Sequence, residues 1–251
     1  MEKSDYIFGI RAVIEAIEAG KEIDKILIKK DISGDLVGEL LNLIKEHQIF
    51  AQRVPIEKIN RITMKNHQGV VAQLSAVTYY SLENIVPQLY EEGVLPFIVI
   101  LDGITDVRNF GAIARTCECA GVDAIVIPER NSASVTADAI KTSAGALHHI
   151  PVCREKDLFS AIRMLKDNGF HIVGASEKGN VNYTKIDYTV PVGIVMGAED
   201  VGISPEVLRQ CNSLVSIPEF GKINSLNVSV AAGIMTYEVV RQRLNANMEV
   251  I

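Results

Sequence analysis

Phe97-Ile-Val-Ile-Leu101, Asn109-Phe-Gly-Ala-Ile-Ala-Arg-Thr116 and Asp123-Ala-Ile-Val-Ile127 follow one another with short polar spacers between them. The first is an unbroken apolar run, the pattern of a strand buried on both faces rather than one, and the third reads as the next strand. The middle segment continues to Gly121 and is predicted as a helix over 109–121. Strand, helix and strand in this order make a right-handed crossover unit, which demands a parallel sheet. The same alternation continues toward the C-terminus. Helices are expected at 137–146, around Leu158, Ile162 and Leu165, from Ser204-Pro205 onward with Ser204 as N-cap, and over 226–244. Strands are expected at 170–175, 192–196 and 214–217.

Working toward the N-terminus, residues 79–96 hold Pro87, Glu91-Glu92, Gly93 and Pro96. This composition reads as a connection, a linker over 79–95, with a helix over 82–90 as an alternative for part of it. Before it lies a separate α/β unit over 1–78. Ile10, Val13, Ile14 and Ile17 have helical spacing and Gly20 ends them; Leu36, Leu40, Leu41 and Ile44 form a second helical stripe. Lys25-Ile-Leu-Ile-Lys29 and Gly69-Val-Val-Ala-Gln-Leu74 read as strands. The fold class is therefore α/β, a small N-terminal domain followed by a parallel-sheet domain over 96–251.

The 251 residues are 48% hydrophobic and 22% charged, which excludes disorder, and a chain this long buries enough surface to need no metal or disulfide staple. The four cysteines (Cys117, Cys119, Cys153 and Cys211) form no C-x-x-C and read as reduced thiols. The longest apolar run, 94–101, is interrupted by Pro96 and is too short to cross a bilayer, and Met-Glu-Lys-Ser-Asp is not a signal peptide. A cytoplasmic protein without a membrane or metal partner is expected. The net charge of −6 argues weakly against nucleic acid, but it is uneven: residues 1–78 are neutral overall and 79–251 carry all of it. Local runs in the first domain (Lys25, Lys29 and Lys30, then Arg53, Lys58, Arg61 and Lys65) set the field that a phosphate backbone meets.

Ligands of open parallel sheets bind beyond the carboxyl ends of the strands. Three such segments are rich in Gly, Asn, Ser and charge: 102–115, 196–204 and 217–229. Familiar chemistries fail there. No G-x-G-x-x-G follows a strand and no G-x-S-x-G elbow exists. Gly174-Ala-Ser-Glu-Lys-Gly179 and Gly197-Ala-Glu-Asp-Val-Gly202 have the spacing of a phosphate loop without its Lys-Ser/Thr ending. The pair His148-His149 precedes a strand and is not a metal site. In the first segment Asn109 is placed to cap a helix, Gly111 to admit a close neighbour, and Arg115 to meet an anion, either a carboxylate of the fold or a ligand phosphate. In the second, Gly197 and Gly202 bracket Glu199 and Asp200 in a tight turn, either a holder of a small flat ligand or an ordinary αβ turn. In the third, Asn224, Ser225, Asn227 and Ser229 crowd the start of the last helix, more polar groups than capping needs.

Asn109-Phe-Gly-Ala-Ile-Ala-Arg-Thr116, Gly197-Ala-Glu-Asp-Val-Gly202, and Ile217-Pro218 with Ser225-Leu-Asn-Val-Ser-Val-Ala231 resemble, in order and spacing, the three signature motifs of the TrmH/SpoU branch of the SPOUT RNA 2′-O-methyltransferases. Phe8-Gly9-Ile-Arg-Ala-Val13 and His67-Gln-Gly-Val-Val-Ala72 resemble the L30e-like substrate-binding domain of the RlmB-type 23S rRNA guanosine methyltransferases, a domain that the shorter tRNA-acting relatives generally lack. The resemblance implies a deep trefoil knot in the C-terminal domain and S-adenosylmethionine as methyl donor. It implies a ribose 2′-hydroxyl of RNA as acceptor, in the rRNA subgroup a guanosine of the peptidyl-transferase region, and a homodimer with the site near its interface. By motif position, Gly197, Gly202, Ile217, Gly221 and Leu226 would hold the cofactor. Arg115 would be the catalytic arginine, acting as general base or as electrostatic stabiliser of the developing alkoxide, with Asn109, Glu199, Ser225 and Asn227 around it. The subgroup usually follows Ile-Pro with Met-x-Gly, whereas this chain has Glu219-Phe220-Gly221 and then Lys222-Ile223-Asn224. Val228, Ala231, Ile234, Met235, Val239 and Val240 spread around the last helix, as burial on two sides or a single-chain core would require. A tRNA methyltransferase, a non-catalytic RNA-binding protein and a small-molecule nucleotide enzyme are the competing readings.

Overall fold

The computed structural model describes residues 5–222 and 225–248, in two units: the described residues up to Thr78 with Ser134–Ala137, and the remainder. In the first unit β1 (Tyr6–Phe8), α1 (Ile10–Glu18), β2 (Ile23–Lys29), α2 (Asp35–Glu46), β3 (Ala51–Val54), α3 (Ile56–Asn60) and β4 (Val70–Leu74) form a four-stranded sheet of order β1-β4-β2-β3. Strand β4 is antiparallel to β1 and β2, and β3 is parallel to β2. Val13, Ile14 and Ile17 of α1 and Leu40 and Ile44 of α2 bury against Ile26, Ile28, Val70 and Ala72. The α1 stripe matches the sequence spacing, and Gly20 (φ +66°) ends the helix by donating to the Ile17 carbonyl. On α2 the buried face is Val37, Leu40 and Ile44, and Leu36 is exposed, because the 37/40/44 row is the one that faces α1 and the sheet.

In the second unit β5 (Tyr79–Tyr80), α4 (Leu82–Glu91), β6 (Phe97–Asp102), α5 (Val107–Cys119), β7 (Ala124–Pro128), α6 (Ala137–Thr142), β8 (Val152–Glu155), α7 (Leu158–Asp167), β9 (His171–Ala175), β10 (Val181–Asn182), β11 (Val192–Gly197), α8 (Pro205–Leu208), β12 (Ser213–Ser216) and α9 (Val228–Met248) follow in sequence. The sheet order is β10-β12-β9-β11-β6-β7-β8-β5, and every pairing in it is parallel.

The segment expected as a linker is instead part of this unit. Tyr79 and Tyr80 pair with Val152 and Cys153, and Leu82, Ile85, Val86 and Leu89 of α4 enter the main core. Pro87 removes one helical N–H but leaves the 82/85/86/89 apolar row intact, and burial of that row prevails over the proline signal.

The strand order positions the site. From β6 the chain steps outward through β7 to β8, then returns to the other side of β6 for β9, and β11 later fills the gap between β9 and β6. The carboxyl ends of β6, β9, β11 and β12 thus lie side by side at the reversal, where open α/β sheets bind ligands. Helix α9 packs along α5 and is anchored at its far end by Arg243. That guanidinium donates to the carbonyls of Leu95, Pro96, Tyr188 and Val190 at 2.7–3.1 Å and lies over the Phe97 ring.

Candidate active site

Helix α5 is built from the row Phe110, Ile113, Ala114 and Cys117, all buried. Its N-cap is Asp106, whose carboxylate accepts from the Arg108 and Asn109 N–H groups at 2.9 and 2.8 Å. Asn109 is therefore not the cap expected from sequence; it sits inside the first turn with its side-chain carbonyl free to point elsewhere. Gly111 does admit a close neighbour: a Cβ there would lie 2.6 Å from the Thr142 Cβ and 3.1 Å from the Ser143 nitrogen.

The loop after β11 closes on itself. Ala198 and Gly202 exchange N–H to carbonyl bonds of 3.2 and 2.8 Å, Gly202 has φ +69°, and a Cβ on Gly197 would meet the Gly202 and Ile203 backbone at 2.2 Å. Only glycine fits Gly197, so Glu199 and Asp200 are held out at the tip of a rigid loop. Ser204 heads α8 without a side-chain capping bond; its N–H instead donates to Asp102 Oδ2 at 2.7 Å, tying the end of β6 to this loop.

The three segments meet at one side chain. Asn227, just ahead of α9, donates from Nδ2 to Asn109 Oδ1 at 3.0 Å and to Glu199 Oε1 at 2.6 Å. Its Oδ1 accepts from the Ser229 N–H and hydroxyl, which caps the helix. An amide has two donors and one acceptor oxygen, and here both kinds are used, so its orientation is fixed. Asn224 lies outside the described residues.

Beside this network a cleft of about 260 Å³ opens at the ends of β9, β11 and β12. Gly197, Glu199, Gly202, Ile217, Ser225 and Leu226 line it, as does Glu219. So do Ala175, Ser176, Glu177 and Lys178, part of the Gly174–Gly179 stretch that failed as a phosphate loop. Sequence reasoning missed those four; the strand-end rule applied to β9 would have found them. Gly221 is not among the lining residues. The cleft joins apolar walls (Met196, Leu208, Val228, Ala231) to four carboxylates, Glu177, Glu199, Asp200 and Glu219, against one ammonium, Lys178. Such a site favours a ligand with a flat apolar part and a positive charge.

Arg115 lies six residues beyond Asn109 on α5, about 9 Å of helix rise. It is exposed and has no hydrogen-bond or ion-pair partner among the described residues. The described residues thus supply no carboxylate for it; exposure, rather than pairing, avoids the cost of burying the charge. Among the described residues no group of three or more His, Cys, Asp or Glu converges as metal ligands would, and none of the helices is long and apolar enough to cross a membrane.

The family model described as SpoU rRNA Methylase family matches residues 96–237, more than half of the chain. The chain belongs to the SpoU/TrmH family of RNA methyltransferases. A second family model, RNA 2′-O ribose methyltransferase substrate binding, matches residues 6–80. A TrmH family tRNA/rRNA methyltransferase of Staphylococcus saprophyticus is 41% identical over 237 residues, 94% of this chain and 95% of the relative. An AdoMet-bound rRNA methyltransferase from Sinorhizobium meliloti has the same fold with a TM-score of 0.61 at 28% identity, covering 94% of this chain and 86% of that one. The A. aeolicus TrmH/SpoU tRNA modifying enzyme gives 0.57 at 32% identity, covering 66% and 86%. The SpoU match contains all three segments that Asn227 gathers.

In the first unit of this SpoU-family chain the two N-terminal motif stretches also come together. Gln68 Oε1 accepts from the Ile10 N–H at 3.2 Å, at the open start of α1, and Gly9 donates to the Val70 carbonyl at 3.0 Å. Tyr6 and Phe8 stack, and Lys65 lies over the Phe8 ring at 5.7 Å. Lys30, Arg53, Lys58, Arg61 and Lys65 are all exposed in this unit.

Proposed function

We propose that this SpoU-family chain transfers a methyl group from S-adenosylmethionine to a ribose 2′-hydroxyl of RNA, a guanosine in the peptidyl-transferase region of large-subunit rRNA, in the cytoplasm. The observation that carries the reading is Asn227 bridging Asn109 and Glu199, which draws three distant motif segments to one cleft.

The residues fit the cofactor. The carboxylate excess of the cleft suits a sulfonium and an ammonium, and its apolar wall suits an adenine. Gly197, Gly202, Ile217 and Leu226 would hold it. When bound, it supplies an electrophilic methyl group. The chain's own residues must then align the acceptor oxygen and stabilise its negative charge. Asn109, Glu199 and Asn227 form a fixed polar ledge, with Ser225 beside it. Arg115, exposed and without a partner among the described residues, would clamp the substrate phosphate and stabilise the developing alkoxide; as a residue type arginine resists deprotonation, so this role is favoured over that of a base.

The first unit serves as an L30e-like RNA-presenting domain, supported by its exposed cations and the Tyr6–Phe8 stack. The insertion of β11 between β9 and β6 supports the knotted threading that the family resemblance implies. On α9, Val230, Tyr237 and Leu244 are exposed at intervals of seven residues, one stripe of the helix surface, which supports a homodimer formed through that face; light scattering that gives a monomer removes this element.

The decisive experiment maps 2′-O-methyl groups on rRNA from cells with and without the protein, alongside methyl transfer to purified rRNA and tRNA transcripts. Loss of one guanosine methylation in rRNA is expected. A tRNA product alone would favour the second reading, which the likeness to the A. aeolicus tRNA modifying enzyme supports. RNA binding without transfer would defeat the catalytic reading.

A further inference from the structure

Three large apolar side chains stand far more exposed than the rest among the described residues: Phe220 at 97%, Met64 at 84% and Val201 at 78%. Scattered exposed apolar residues need no explanation by themselves. Two of these three, however, sit on the loops that flank one cleft. Val201 is on the loop after β11 and lines the cleft; Phe220 follows the lining residue Glu219 on the segment after β12. Phe220 occupies the variable position of the Met-x-Gly that the subgroup usually has, directly after Glu219, which takes the place of the Met.

The ring makes no packing contact that would shield it from water, and phenylalanine has no polar atom through which to hold a partner. Its use is a flat apolar face. The two residues after it are Gly221 and Lys222, both exposed, so an ammonium stands close along the chain. An aromatic face with a neighbouring cation suits an unstacked nucleotide, whose base is flat and whose phosphate is anionic. The cleft itself carries four carboxylates against one ammonium and disfavours phosphate, so an RNA strand is better met outside it, and Phe220 directly follows its lining residue Glu219.

We infer that Phe220 is a stacking platform for an unpaired base of the RNA substrate, either that of the target nucleotide or its immediate neighbour, which steadies the ribose at the mouth of the cleft. The inference rests on the RNA methyltransferase reading above. Because every base has a π-face, the contact sets substrate affinity and placement more than base identity.

The chain contains no tryptophan, so Phe220→Trp creates a single emission reporter at this position. RNA that the wild-type protein methylates should quench that emission saturably, while free S-adenosylmethionine should leave the RNA-dependent part unchanged. Phe220→Ala should raise KM for RNA roughly 5- to 100-fold, with KM for S-adenosylmethionine unchanged, and Phe220→Tyr should restore the wild-type value. An unchanged KM for RNA in Phe220→Ala, or Trp emission indifferent to a methylated RNA, overturns the inference. So does Trp emission that is already shielded and shifts on dilution, which would mean that a second copy of the chain covers the ring. If the wild-type protein methylates no RNA at all, the broader functional reading fails, separately and visibly.

Discussion

Helix α9 carries a polar cluster at each end, and the two are built differently. At its start Asn227 reaches side chains, Asn109 and Glu199, and all three are outside the core at the mouth of a cleft. Toward its end Arg243 and Gln242 reach mostly main chain, with Glu238 accepting from the Arg241 and Gln242 side chains. Arg243 satisfies four carbonyls, and Gln242 exchanges bonds with the Ile186 carbonyl and the Tyr188 N–H. The first cluster arranges chemical groups and contributes to stability mainly through the α9 cap; the second satisfies backbone acceptors that would otherwise be left without partners, and it holds the helix to the fold. One helix thus separates the work of the site from the work of the scaffold along its length.

That division can be tested at both ends. Arg115→Ala, at the residue proposed above to stabilise the alkoxide, should lower kcat roughly 10³-fold with the melting temperature and S-adenosylmethionine affinity unchanged, by single-turnover kinetics and calorimetric titration. Retained turnover would remove Arg115 from the mechanism. Arg243→Met should do the reverse. It strands four carbonyls and should cost about 3 kcal/mol, read as a lower urea midpoint, while kcat per folded molecule stays at the wild-type value. A lost kcat in that variant would mean that the two ends are coupled.

Asn227→Ala lies between these extremes. It should lose roughly tenfold or more in kcat, and about 1 kcal/mol of stability because the α9 cap goes with it. Asn227→Asp keeps the cap oxygen but loses both donors and places a carboxylate against Glu199, so it should recover only part of the stability and none of the activity; recovery of both would show that Asn227 acts only as a cap.

The smallest expected effect is at Glu238, whose carboxyl is held below its ordinary range by the Arg241 hydrogen bond, with Gln242 adding to it. A lowered folded-state value stabilises the protein above the ordinary pKa of 4.5 and loses that stabilisation as pH falls through it. The melting temperature of the wild-type protein should therefore fall more steeply below pH 4.5 than that of Glu238→Gln. Equal slopes would show that this contact is screened by water.

Legibility follows the same line. The buried strands 97–101 and 192–196 and the helical rows of α1 and α5 were readable because apolar spacing is a property of residues in sequence. Asn109, Glu199 and Asn227 were readable as motif members, but not the bond pattern among them, and Asn109 was misread as a cap because Asp106 competes for the same N–H groups. The linker reading of 79–95 failed because proline and glycine outweighed an apolar row whose burial depends on a core assembled from β6 to β9. Arg115 was expected at a carboxylate of the fold or at a ligand phosphate, and no carboxylate pairs with it among the described residues.

The sequence by itself determined the crossover units, the residue types of the site and the glycines its turns require, since each of these rests on spacing or on one residue's own stereochemistry. Tertiary structure alone decided that Arg243 would fasten α9 and that Phe220 would stand in water. The reason is physical: a carbonyl acceptor is the same in every residue and leaves no mark in the sequence, and burial depends on which surfaces distant strands bring to lie against one another.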